Sequence, residues 1–110
     1  MLTVMKHIHL KDMKNGWFLG NFEPTVVKTA QCEVAVKEYK AGDFEATHYH
    51  KIAQEVTVVI SGRVEMCGKI FTKGDIISLD PKEQTSFKAL TDAVIVAVKI
   101  PSVANDKFLA

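Results

Sequence analysis

The stretch Gly42–Gly62, GDFEATHYHKIAQEVTVVISG, decides the fold and carries the candidate chemistry. It holds two of the chain's four histidines, His48 and His50, one residue apart in a β-rich run. Successive side chains of a strand turn to opposite faces, so the two imidazoles share a face, about 6.6 Å apart along the strand. A single metal ion can bridge that separation. After Lys51-Ile52-Ala53, Glu55 opens a second strand in which Val56, Val58 and Ile60 alternate with Glu55, Thr57 and Val59. Antiparallel pairing of these strands would bring Glu55 back beside the histidines. Two imidazoles and a carboxylate suit a first-row divalent ion and leave coordination positions open for water or substrate.

The spacing Gly42-x5-His48-x-His50-x4-Glu55-x6-Gly62 resembles the first conserved motif of the cupin superfamily at every interval. The resemblance covers roughly Ala30 to Lys99. It implies an all-β, antiparallel double-sheet β-barrel of jelly-roll type, enclosing a site for a metal or ligand. The ligands it implies are His48, His50 and Glu55, and the cofactor a divalent transition metal such as Fe, Mn, Ni or Zn. Residues 30–100 are then the barrel, 1–29 an N-terminal edge strand with an aromatic arm, and 101–110 a tail.

The second cupin motif is only partly matched. Gly74-Asp75, Pro81 and Phe87 fall in register, but Thr85 stands where that motif has a fourth histidine, with Ser86 beside it. No histidine follows His50. A neutral hydroxyl is a poor ligand for a borderline ion, which leaves two readings. Either the three ligands hold a metal with water in the gap, or the site has lost its metal and keeps a binding role. A hydrogen-bonded interior histidine pair is the plain alternative, against which a carboxylate facing the interior needs a cation or several donors. Thr57, on the face of Glu55, joins Thr85 and Gln54 as residues expected near the ligands or lining the pocket. Gln54 enters because His50-Lys51-x2-Gln54 is similar to a run in nucleotide-sugar ketoisomerases of the superfamily, where histidines act as acid and base without metal.

The remaining chain reads as short strands with Gly or Pro punctuation and no helical periodicity, the pattern of an all-β sandwich or barrel. Val4–His9 alternates weakly as an edge strand, and its His7-x-His9 pair has no carboxylate at ligand spacing. Asn15-Gly16 signals a turn before Trp17–Phe22, whose aromatics suggest a lid or a dimer contact. Ser61-Gly62 reads as a hairpin turn, and Ala93–Ile100, apolar on both faces, as a central strand. Tyr49 should face away from the ligands. Glu38, Glu65, Cys67 and Lys99 could face either way, and Glu38 or Glu65 would have to supply a base.

Composition narrows the function classes. The 110 residues carry 14 basic and 13 acidic side chains, a net charge of +1, and 47% apolar content. No basic block or aromatic-basic interleaving suggests nucleic acid, and no apolar run approaches the roughly 18 residues needed to span a bilayer. Met1–Leu10 lacks the pattern of a signal peptide, and Cys32 and Cys67 suggest no disulfide framework, so a cytoplasmic setting is expected. A small-molecule ligand and a homodimer complete the expectation. Three functions remain open: a metal-dependent isomerase or oxygenase, a non-catalytic ligand-binding cupin, and a metal-free nucleotide-sugar isomerase using His48 and His50.

Overall fold

The computed structural model describes residues 5–110. A 3-10 turn at Leu10–Asp12 precedes eleven strands: β1 (Trp17–Gly20), β2 (Val27–Lys28), β3 (Glu33–Tyr39), β4 (Phe44–Tyr49), β5 (Gln54–Ser61), β6 (Val64–Met66), β7 (Lys69–Phe71), β8 (Ile76–Leu79), β9 (Thr85–Ala89), β10 (Ala93–Ile100) and β11 (Phe108–Leu109). They form a six-stranded sheet, ordered β2-β1-β3-β10-β5-β8, and a five-stranded sheet, ordered β11-β4-β9-β6-β7. All pairings are antiparallel except β1 with β2. The architecture is the expected all-β double sheet, but the hydrogen-bonded ladder is not closed into a barrel: no strand belongs to both sheets.

Alternation along the central strands divides the interior into an apolar part and a polar part. On β10, Ala93, Ile95 and Ala97 are buried, and Ile95 lies opposite both Val59 and Lys37. Around it gather Val59, Leu79 and Ala93 from one sheet and Val64, Met66, Phe87 and Ala89 from the other. Each large side chain removed from water there contributes about 1.5–3 kcal/mol. Further along the same face, Ala97 aligns with Ala35 and Thr57, and Lys99 with Glu33 and Glu55. The packed interior thus ends in charged residues on three neighbouring strands.

The opposite face of this sheet is also apolar. Val96 lies beside Val36 and Val58, which in turn meets Ile76, and Val98 lies between Val34 and Val56. Ile76 is 67% and Ile60 44% exposed.

Several local expectations are corrected. β4 and β5 do not pair: the chain leaves one sheet after Tyr49 and enters the other at Gln54. Ser61-Gly62 is likewise a corner between sheets, not a hairpin. There Gly62 has φ +82°, and a Cβ would run into the carbonyl oxygen of Asp92, so glycine is required. Val4 lies outside the described residues, and Met5–His9 form no strand. Exposed, with no strand beside them, these residues gain nothing from their weak alternation. His9 instead caps the 3-10 turn, its Nδ1 accepting from Lys11 N at 3.1 Å. Trp17–Phe22 is no free lid: its first four residues are β1, paired with β3. The tail docks within the chain, Phe108 pairing with Tyr49 and stacking on its ring at 5.6 Å. Among the described residues, no helix is long and apolar enough to cross a membrane.

Candidate metal centre and its cavity

His48 is the penultimate residue of β4 in one sheet, His50 follows the strand's end, and Glu55 projects from β5 in the facing sheet. Each offers a ligand atom within 4.8 Å of the others, and among the described residues this is the one group of three His, Cys, Asp or Glu so arranged. His48 and His50 are buried and Glu55 is nearly so.

Backbone carbonyls fix both imidazoles. His48 Nδ1 stands 2.9 Å from the Ala46 carbonyl oxygen, and His50 Nδ1 stands 2.7 Å from that of Asp106. A carbonyl only accepts, so both Nδ1 atoms carry a proton and both rings turn Nε2 inward, where the neutral form of the ring presents a lone pair. This arrangement typically orients metal-bound histidine. His50 Nε2 lies 2.8 Å from Glu55 Oε2, yet the two atoms do not align as a hydrogen bond and neither has another partner. A lone pair facing a carboxylate oxygen is repulsive unless a cation lies near both. Two ligand atoms bound at right angles to an ion at about 2.1 Å would be about 3 Å apart. The donor set therefore fits a divalent transition ion.

A residue from the tail shapes the crossing between the sheets. Asp106 is buried, and its carboxylate accepts from the backbone N–H groups of Lys51 (3.0 Å), Ile52 (3.1 Å) and Ala53 (2.9 Å). The same residue's carbonyl receives His50. One side chain thus folds the loop that carries His50 to Glu55. Burial pushes the Asp106 carboxyl up, and the three N–H donors outweigh it, leaving the group below the usual carboxylate range.

Glu55 follows the same logic: burial raises its pKa, but the neighbouring His50, the Lys99 charge and His48 together hold it below the ordinary value. Glu45 is a half-buried carboxylate. Burial opposes its ionisation, but Lys37, Lys107 and the Tyr39 hydroxyl prevail. Tyr39 Oη donates to Glu45 at 3.1 Å, and Lys107 pairs with it at 3.1 Å.

A cavity of about 790 Å³ opens beside the triad, walled by His48, Glu55, Lys37, Glu45, Lys99 and Trp17 among others. A smaller one of about 280 Å³ reaches His50 from the tail side, past Lys99, Asp106 and Lys107.

The other expected residues divide. Thr57 is buried on the face of Glu55, one position deeper. Thr85 is buried directly across from His48, but its hydroxyl donates to the Ser86 carbonyl at 3.0 Å and not into the triad. Gln54 does not reach the site. It turns to the face opposite Glu55, where its amide donates to Ser78 Oγ and Asp80 Oδ1. The likeness to the ketoisomerase run loses its glutamine. Glu38 is exposed at the wall of the larger cavity, and Glu65 alternates with buried Val64 and Met66, so neither is buried beside the triad.

Sequence reasoning missed Asp106, Lys37, Glu45 and Lys107. Glu45 is an odd position and His48 an even one, yet the register of β4 against β9 shifts between them, bringing both inward. Lys37 was legible in principle, since β3 alternates and buried Ala35 shares its face.

No protein-family model matches the chain, and no curated protein sequence matches it. Solved structures do. An uncharacterised conserved protein with a double-stranded β-helix domain from Klebsiella pneumoniae is 27% identical, over 74% of this chain and 72% of that one, with a TM-score of 0.68. A sugar phosphate isomerase of the cupin superfamily from Silicibacter pomeroyi is 19% identical, over 64% and 50%, with a TM-score of 0.61. Oxalate decarboxylase from Bacillus subtilis, whose Mn(II) centres are described, is 21% identical, over 73% of this chain but 24% of that enzyme, with a TM-score of 0.62.

Proposed function

We propose that this small cupin-superfamily domain holds a divalent transition metal on His48, His50 and Glu55 and binds a small polar metabolite in the adjoining cavity. One observation carries the reading: His50 Nε2 and a Glu55 carboxylate oxygen are buried without a hydrogen-bond partner, and a ligand atom of His48 lies within 4.8 Å of both residues' ligand atoms. The Mn(II) centres of the structurally similar decarboxylase support it at the level of fold.

When bound, such an ion supplies a Lewis acid that polarises a carbonyl, hydroxyl or carboxylate oxygen of the substrate. The chain's own residues do the rest. The Ala46 and Asp106 carbonyls hold the two rings in the ligating tautomer, Lys99 adds positive charge beside Glu55, and the facing sheets exclude bulk water. Isomerase-like or dioxygenase-like chemistry is the enzymatic form of this proposal.

A second reading, a non-catalytic ligand-binding protein, is favoured by two observations. Thr85 occupies the place opposite His48, and the carboxylate of Glu45 is already engaged by Tyr39 and Lys107. Metal titration followed by isothermal calorimetry tests the shared claim. Assays of the loaded protein on hydroxy acids, keto acids and sugars then separate the two readings, because turnover excludes the second.

We further propose a homodimer. The valine rows on the outer face of the six-stranded sheet are a self-complementary apolar surface of the kind that pairs about a two-fold axis.

A further inference from the structure

Trp17 occupies a row whose other members, Ala35 and Ala97, are small and buried. The lysines of the two flanking rows both reach its indole: the Nζ of Lys37 lies 5.2 Å and that of Lys99 4.9 Å from the ring centroid. All three residues wall the larger cavity. Among the described residues the lysine ion pairs are Lys28 with Glu23 and Lys107 with Glu45, so neither Lys37 nor Lys99 has a carboxylate partner. The nearby acids are otherwise occupied. Glu45 is held by Lys107 and Tyr39, Asp43 accepts the Lys40 N–H at 2.8 Å, and Glu55 faces His50.

We propose that the cavity takes a small organic acid, whose carboxylate groups pair with Lys37 and Lys99 beside the face of Trp17. Because both ammonium groups approach one ring, a single small ligand can span them. An indole face weakly attracts cations but supplies no hydrogen-bond acceptor, so both ammonium groups keep N–H donors to offer a bound carboxylate. Burial lowers the Lys37 pKa, the largest influence on it, which is the sign of an ammonium short of compensation. A dicarboxylate is favoured over a phosphate because its two separate carboxylates can each meet one of the two ammonium groups that flank Trp17, whereas a phosphate offers a single anionic centre. The single arginine, Arg63, follows the Gly62 corner and lines neither cavity.

This proposal deepens the reading of the cavity as the ligand site, and its test is run on metal-free protein so that the two stand or fall separately. Trp17 is the only tryptophan, so its fluorescence reports on the lysine pair. Succinate, succinamide and inorganic phosphate are titrated into chelator-treated, dialysed protein and into the Lys37→Gln and Lys99→Gln variants, each checked for a cooperative melt. Saturable binding of succinate is expected, about tenfold weaker in either variant, with none for the neutral amide. Wild-type binding should also weaken about threefold or more as salt is raised into the range where charges are screened over about 3 Å. No saturable succinate binding overturns the proposal, as does wild-type affinity in both variants or salt-insensitive binding. Tighter binding of phosphate than of succinate overturns the carboxylate assignment. Loss of metal binding by the triad, measured separately, would leave a positive result here intact.

Discussion

His50 Nε2 and Glu55 Oε2 lie 2.8 Å apart across the gap between the two sheets, buried, with no hydrogen bond to either. The Asp106 carbonyl keeps the proton on the far nitrogen of His50, so the pair is an acceptor facing an acceptor. Only a cation resolves that contact.

The first prediction uses this conflict. In Glu55→Gln the amide can donate to the His50 lone pair, so the metal-free variant should be more stable than metal-free wild type by about 1 kcal/mol. The same variant should lose most of its metal affinity. Urea denaturation with and without chelator measures both. A variant less stable than wild type in chelator would mean that the pair is already satisfied by a proton.

Asp106→Ala leaves three backbone N–H groups of the crossing loop without their acceptor, a loss of about 2–5 kcal/mol. It should also weaken metal binding by about 10–100-fold, since the loop carries His50. Thermal melts and metal titration test the two effects. Unchanged metal affinity in a folded variant would show that His50 is positioned without the clasp.

Thr85→His should strengthen metal binding. Thr85 sits directly across from His48, where Cβ atoms are about 4.5–5.5 Å apart, so an imidazole there can reach the same ion. A competition titration against a chromophoric chelator compares the two proteins. Equal or weaker binding by the variant would place the ion elsewhere.

Acid should unfold the metal-free protein through its depressed carboxyls. Glu45 and Asp106 have folded pKa values below their unfolded ones, so the unfolded chain binds more protons between the two. Their stabilisation is complete above the unfolded values of about 4 and is lost as pH falls through the folded ones. Denaturation midpoints should therefore be steady above about pH 5 and drop toward pH 2, with a smaller drop in Asp106→Asn. A midpoint that rises on acidification would reverse the assigned directions.

Much of this was legible in the sequence because it is local. Strict alternation along Gln54–Ser61 and Ala93–Ile100 sets which residues face inward, and it placed Glu55, Thr57 and the central β10 correctly. The HxH pair needed only the two-residue period. What escaped depends on distant partners. The β4–β5 connection looks like a hairpin loop until Asp106, more than fifty residues away, folds it across the sheets. Glu45 was hidden because a register shift breaks the parity that links it to His48. Gln54 was drawn to the pocket by a short motif, although its parity with Glu55 already turned it away. Trp17 read as part of a lid or a dimer contact, because nothing local shows that a strand eighteen positions later supplies its partner, Ala35.

The most direct measurement is metal content per chain, by elemental analysis of protein purified without a histidine tag, repeated on His50→Ala and His9→Ala. The account predicts near-stoichiometric iron, manganese, nickel or zinc in wild type and in His9→Ala, and its loss in His50→Ala. No metal in wild type, even after incubation with each ion, would contradict it, as would equal metal in all three proteins.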